Sequence, residues 1–322
     1  MTKSVRRALL SAMLAVGFLA PAAEAQAAQC TWQRTELPVP SPYRDASVSG
    51  VAGDYIAGIA NSMAGSKLAL WHKGQATLLS WPASTDNAGF RIVDVNRSGT
   101  VLVQRSTIGN GNEAYVVKAD GTSKVLGHPT GQDPNVYGMN DSGDVVGYLW
   151  ANGSTTNVVW PAWDYTRYRV LKPAASPIGI DNAGTVVFSN GEVQGPPGFT
   201  WKVQVPAGVT EVMVRAFENN RILGEYWQNN QWHGVVWRVN GSVDYDLDLG
   251  QAMTFSVNRL GTVVGAGPSF EIRLWRNGVV DPNVPAPSPS VGPGRVFVDN
   301  NDVIYSAYYD GDSQFAGQWR CS

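Results

Sequence analysis

The side chains able to do chemistry are few. Three histidines, His72, His128 and His233, give little material for a histidine-based metal site or a nucleophilic triad. No glycine loop followed by Lys-Ser/Thr is present to cradle phosphate, and no G-x-S-x-G elbow to present a nucleophile. The acids offer more. Asp244, Asp246 and Asp248 alternate in DYDLDLG, a spacing that suits the solvent face of an outer strand better than a calcium loop. Asp310-Gly311-Asp312-Ser313 is the better cation candidate, and a polar turn explains it equally well. Glu113, Glu192 and Glu225 are candidates for paired-carboxylate hydrolysis of a glycoside, provided two of them lie at a suitable separation. No cofactor is expected.

Tryptophan is the stronger signal, with 12 residues. Half of them belong to a repeat. One phrase reads apolar, Asn or Asp, two polar residues, Gly, then a β-branched pair. It runs from Val95 (VNRSGTVL), Met139 (MNDSGDVVG), Ile180 (IDNAGTVVF) and Val257 (VNRLGTVVG). Three weaker copies, from Val51, Phe217 and Val298, read as having a turn one residue shorter. A second phrase, apolar-Trp-basic, follows each copy at Trp71, Trp160, Trp201, Trp237, Trp275 and Trp319, with Val117 in the second unit. The six steps from Trp71 to Trp319 average about 41 residues, the period of a β-propeller.

One unit then reads as a four-stranded antiparallel sheet. In the third, VYGMN is strand a, VVGYLW strand b, NVVWPA strand c and the YRVLKP stretch strand d. A sheet of this kind cannot bury both faces alone, so seven must pack radially, with the repeated Trp filling the gaps between them. The expected fold is all-β, a seven-bladed propeller in which 29–322 is a single domain. The last unit supplies strand c but no strand d, and residues 30–40 read as the missing strand. Ring closure by the N-terminal strand follows, with a Cys30–Cys321 disulfide where the c–d turn would stand.

The remaining composition fits this reading. Gly (35) and Pro (19) are too frequent for long helices, and charged residues are only 16%. The net charge of −2 gives no reason to expect nucleic acid as a partner. Residues 1–28 combine Lys3, Arg6 and Arg7 with a short apolar run and small-residue cleavage sites, which reads as a secretory signal peptide. Its apolar run is too short to span a bilayer, so no membrane insertion is expected. The protein is expected outside the cell, or in the periplasm of a host with an outer membrane.

The alternation of the Met139–Gly147 phrase with His233–Trp237 (HGVVW) resembles the HAF-type extracellular repeat family of bacteria, over nearly the whole chain after the leader. Only His233 keeps that family's His. The resemblance implies a secreted β-propeller and carries over no catalytic residue.

In such a blade the b–c and d–a connections share one rim. Trp150, Trp227 and Trp232 lie beside b–c connections and Trp81 opens a d–a connection, while Trp163 maps to the opposite face. Tyr148, Tyr226, Tyr308 and Tyr309 join them, with amides interleaved in Gln228-Asn229-Asn230-Gln231. Flat rings with amide partners suit sugars, whose faces are apolar and whose edges are hydroxylated. The expected function is non-catalytic binding, with a polysaccharide or glycoconjugate as partner. The alternatives are a scaffold for a secreted or cell-surface protein, and a polysaccharide-cleaving enzyme. A monomer is expected.

Overall fold

The computed structural model describes residues 31–322, apart from 64, 81–88, 108–110, 251, 270, 282–283, 285–294 and 311–312. The signal peptide, Cys30, Trp81, Asp312 and most of the Pro-rich connection after Asp281 therefore lie outside the described residues.

Among the described residues, twenty-eight strands form seven four-stranded antiparallel sheets. Blades 1 to 7 span residues 45–79, 89–125, 133–170, 177–202, 211–247, 253–281 and 297–321. In the third blade the strands are Asp133–Met139, Val145–Ala151, Ser154–Trp160 and Arg169–Val170, hydrogen-bonded in that order. The seventh contributes only three strands from its own segment. Its fourth is Trp32–Glu36, antiparallel to Ser313–Cys321 with Trp32 opposite Cys321. Thr31 and Ser322 exchange backbone hydrogen bonds just beyond that ladder. The ring is thus closed by the N-terminal strand, which pairs with Ser313–Cys321 and becomes the outer strand of the seventh blade.

Seven apolar clusters hold the ring, each built from two neighbouring blades. Trp71, Trp160, Trp237, Trp275 and Trp319 sit in five of them, fully or almost fully buried. Four of these indoles donate Nε1–H to a backbone carbonyl in the connection leaving the preceding blade: Trp71 to Pro38, Trp160 to Gly127, Trp237 to Gln204 and Trp275 to Asp248. The repeated Trp therefore fills an apolar gap and satisfies a loop carbonyl at once.

Trp201 departs from this pattern. It lies on the outer strand Thr200–Lys202 rather than on strand c, and it is only half-buried. The third strand of blade 4 is Glu192–Gln194, and Gln194 opposes Val186 as Trp160 opposes Val145. Gln194 Oε1 accepts from the Lys172 backbone N–H at 2.9 Å, so a side-chain amide does the polar part of the indole's job. Blade 4 has short strands, and its apolar-Trp-basic phrase has slipped one strand outward. The seventh turn is a second correction. Asp299 to Ile304 is as long as Asn140 to Val145, with Asp302 at φ 59° in the left-handed place that Gly143 holds in blade 3. Only the turns after Val51 and Phe217 are a residue shorter.

Candidate functional site

In blades 3 and 5 the b–c connections are tight hairpins. Asn152-Gly153 and Asn229-Asn230 each turn with two residues at positive φ, the geometry that matches the twist of the flanking strands. The rim aromatics consequently stand on strand ends, locked in register. Trp227 opposes Trp232 directly, and the rings meet edge to face with centroids 5.3 Å apart. One residue back, on the other face of the sheet, Tyr226 stacks on His233 at 5.1 Å. Trp232 is 37% and Trp150 46% exposed, so both present a ring edge to solvent.

The predicted set separates into rim and core. Tyr226 and Tyr308 are buried in the interblade clusters, and their rings pack blades rather than face a ligand. Arg34, from the closing strand, lies 4.1 Å over Tyr308, which also contacts Phe315 and Trp319. Tyr309 is half-buried and accepts from Gln314 Nε2. Tyr148 is half-buried and tilts against Tyr137 of its own blade at 5.8 Å. Blades 3, 5 and 7 are not neighbours, so the rim carries separate aromatic clusters instead of one platform. Trp163, in the c–d connection of blade 3, is 72% exposed with Arg167 beside it.

The carboxylate candidates are each engaged by a nearby cation. Glu113 pairs with Arg105 at 3.0 Å, Glu225 with Arg215 at 2.9 Å and Glu192 with Lys202 at 3.7 Å. Glu225 is buried as well, and Thr254 of the next blade reaches its other oxygen. These are structural ion pairs within blades, and no two of the three acids share a partner. Asp246 and Asp248 are exposed as the alternation predicts, but Asp244 turns inward to Arg221 and Arg238 because a bulge opposite Trp237 shifts the register. Asp310 opposes Ser313 at the end of the pairing between the second and third strands of blade 7. Among the described residues no group of His, Cys, Asp or Glu is arranged to hold a metal ion. His72 stacks on Tyr55 at 4.3 Å, and His128 is exposed.

No protein-family model matches the chain, and no curated protein matches it. Its likenesses are to solved structures. U3-55K superposes with a TM-score of 0.54 at 10% identity, over 89% of this chain and 97% of that one. An uncharacterized protein of Listeria monocytogenes gives 0.56 at 9% identity, over 85% and 92%. The WD40 repeats of RRP9 give 0.52 at 9%, over 90% and 97%. The chain has the β-propeller fold. At these identities the likeness extends to the fold alone.

The aromatic signal did not point to the ring axis. There the inner strands enclose a cavity of about 230 Å³ whose wall includes Arg97, Asp141 and Glu218. Arg97 Nε lies 3.6 Å from Asp141, and Arg97 Nη2 lies 3.8 Å from Glu218 of blade 5, on the far side of the axis. Asp94, on the inner strand that leads into the turn carrying Arg97, accepts the backbone N–H groups of Val95 and Met139. In the sequence these residues sit inside the repeat phrase or just before it, where they read as turn polarity.

Proposed function

We propose that this chain is a secreted, non-catalytic binding protein of the HAF-type repeat kind that takes polysaccharide or glycoconjugate on its b–c rim. The supporting observation is the Trp227–Trp232 pair at the tip of blade 5. Two indoles held edge to face beside Gln228, Asn229, Asn230 and Gln231 offer an apolar face and amide hydrogen bonds together. The register of the hairpin fixes both rings before any ligand arrives, which lowers the ordering cost of binding. Secretion rests on the leader sequence. A Cys30–Cys321 disulfide at the seam suits an extracellular protein, and the pairing of Thr31 with Ser322 brings the two chain ends together.

Glycan-array binding tests this reading. Binding by the mature protein that disappears in Trp227→Ala and Trp232→Ala is the expected result, and absence of binding to any glycan overturns it. A protein partner is the second reading. Met63, fully exposed at the b–c tip of blade 1, and Trp150 favour it, because apolar and aromatic tips anchor protein interfaces. Stoichiometric co-purification of a partner that Met63→Ser and Trp150→Ala abolish would select it.

A further inference from the structure

We propose that the axial well on the a–b turn face is a second binding site, shaped for a neutral, polyhydroxylated ligand of monosaccharide size. It is independent of the rim tryptophans, which stand at the opposite end of the ring.

The scaffold forms the well in a regular way. In the first six blades the innermost strand carries a bulge at the same place, at Ser49, Val93, Tyr137, Ile178, Arg215 and Phe255. In most blades a small residue follows, and there the strands come closest. A Cβ on Gly138 would lie 3.4 Å from Gly179 Cα, and one on Gly179 would lie 3.4 Å from the Phe217 ring. These close lateral contacts form part of the cavity wall. The cavity of about 230 Å³ runs to the a–b turns, where Arg97 and Glu218 keep 31% and 42% of their side chains in contact with solvent.

Charge is concentrated here beyond what the repeat needs. Asp94 stands where blades 1 and 3 to 6 have Gly, Ala or Ser and blade 7 has Phe297, and Glu218 occupies the place of the repeat's Asn. Burial makes both unfavourable as anions. Loss of solvation is the largest cause for both: it pushes Asp94 up to about 6 against the backbone N–H groups of Met139 and Val95, and Glu218 up to about 7 with help from the charges of Asp94 and Asp141. Arg97 Nη2 is buried and makes no hydrogen bond, since its 3.8 Å approach to Glu218 is too long for one. An orphaned donor facing a raised carboxyl across the axis is costly for stability, which is the mark of a site kept for binding.

The ligand class follows from these groups. A hydroxyl that reaches the exposed part of the Arg97 guanidinium and Glu218 accepts from the first and donates to the second, using both of its capacities. An anionic ligand would face Asp94 and Asp141, and a cationic one would face Arg97, so a neutral ligand avoids both penalties. Tyr137, Phe255 and Phe297 add ring surface to the wall for the apolar face of a sugar.

Isothermal titration of the mature protein with D-glucose, D-galactose and D-glucuronate tests the proposal, using the wild type, Trp227→Ala, Arg97→Met and Glu218→Gln. A neutral hexose is expected to bind wild type and Trp227→Ala alike, and about tenfold or more weakly to the two well variants. Glu218→Gln is isosteric and removes a partly desolvated charge, so it should melt at or above the wild-type temperature and decides the matter if Arg97→Met does not fold. Three results would overturn the proposal: no hexose binding, hexose binding kept in Glu218→Gln, or preference for glucuronate. Loss of hexose binding in Trp227→Ala alone would assign the sugar to the rim instead, so the two sites are tested separately.

Discussion

Asn140 donates its side-chain N–H across a blade boundary to the backbone carbonyl of Asp181, at 2.9 Å. The same side chain's oxygen accepts from Asp144 N–H and closes its own turn. Asn96 does both jobs between blades 2 and 3, and Asn258 between blades 6 and 7. Asp181 and Asp299 close their own turns, and the other oxygen of Asp299 accepts from Tyr305 of the same blade. The choice between Asn and Asp follows the next blade. Asn stands where the following a–b turn is long enough to be reached, and Asp stands before the shorter turns of blades 5 and 1.

Asn140→Asp keeps the turn acceptor but removes the donor and sets a charge against a buried carbonyl and Asp144. It should cost about 2–3 kcal/mol in denaturant unfolding. Asp181→Asn has no such carbonyl to gain and should change stability by less than about 1 kcal/mol. Equal losses from the two substitutions would contradict the clasp.

Trp237→Ala should cost about 3–5 kcal/mol, from a large buried volume and the lost bond to Gln204. Trp201→Ala should cost less than half as much, because that indole is half-buried on an outer strand. Urea midpoints of the two variants provide the comparison.

Stability should fall as pH rises from about 4 to about 7. Asp94 and Glu218 have folded-state values raised to about 6 and about 7, mainly by desolvation, so the folded chain binds more protons than the unfolded one in that window. Below the ordinary carboxylate range both states are protonated and the penalty vanishes. Glu218→Gln should flatten the upper part of the melting-temperature profile; an unchanged slope would show that this group is not its source.

Cys321→Ser should lower stability by up to about 5 kcal/mol, the chain-entropy figure for a loop of about 290 residues. A reductant should destabilise the wild type by a similar amount and leave the variant unaffected. Two reactive thiols in the native mature protein would refute the closure bond.

Trp227→Ala and Trp232→Ala should be coupled by about 0.5–1.5 kcal/mol in a stability double-mutant cycle, the range for an aromatic pair. Trp150→Ala combined with Trp227→Ala should be additive, since the two rings belong to blades that are not neighbours.

Much of the fold was legible because each blade is specified locally. The turn phrase and the apolar pair after it recur from blade to blade, five of the seven blades carry the buried Trp, and a blade packs on its neighbours. The missing fourth strand of the last unit and the displaced one at residues 32–36 were visible for the same reason. Blade 4 was misread because Trp201 satisfies the phrase by composition while Gln194 holds the position by pairing. The rim set was half legible. Sequence gave Trp150, Trp227 and Trp232 their place near the b–c turns, but whether Tyr226 and Tyr308 face solvent depends on which side of a strand meets the next blade.

By itself, then, the amino-acid sequence determined the number of blades, the order of their strands, the seam and the indoles that fill five of the interfaces, all set by short-range pattern and nearest-neighbour packing. Only the tertiary structure decided what meets across the ring. Arg97 and Glu218 belong to blades on opposite sides of the axis, and no periodicity along the chain encodes their approach. Closing seven similar sheets into a circle brings their inner strands to one axis, where side chains far apart in sequence share a single well.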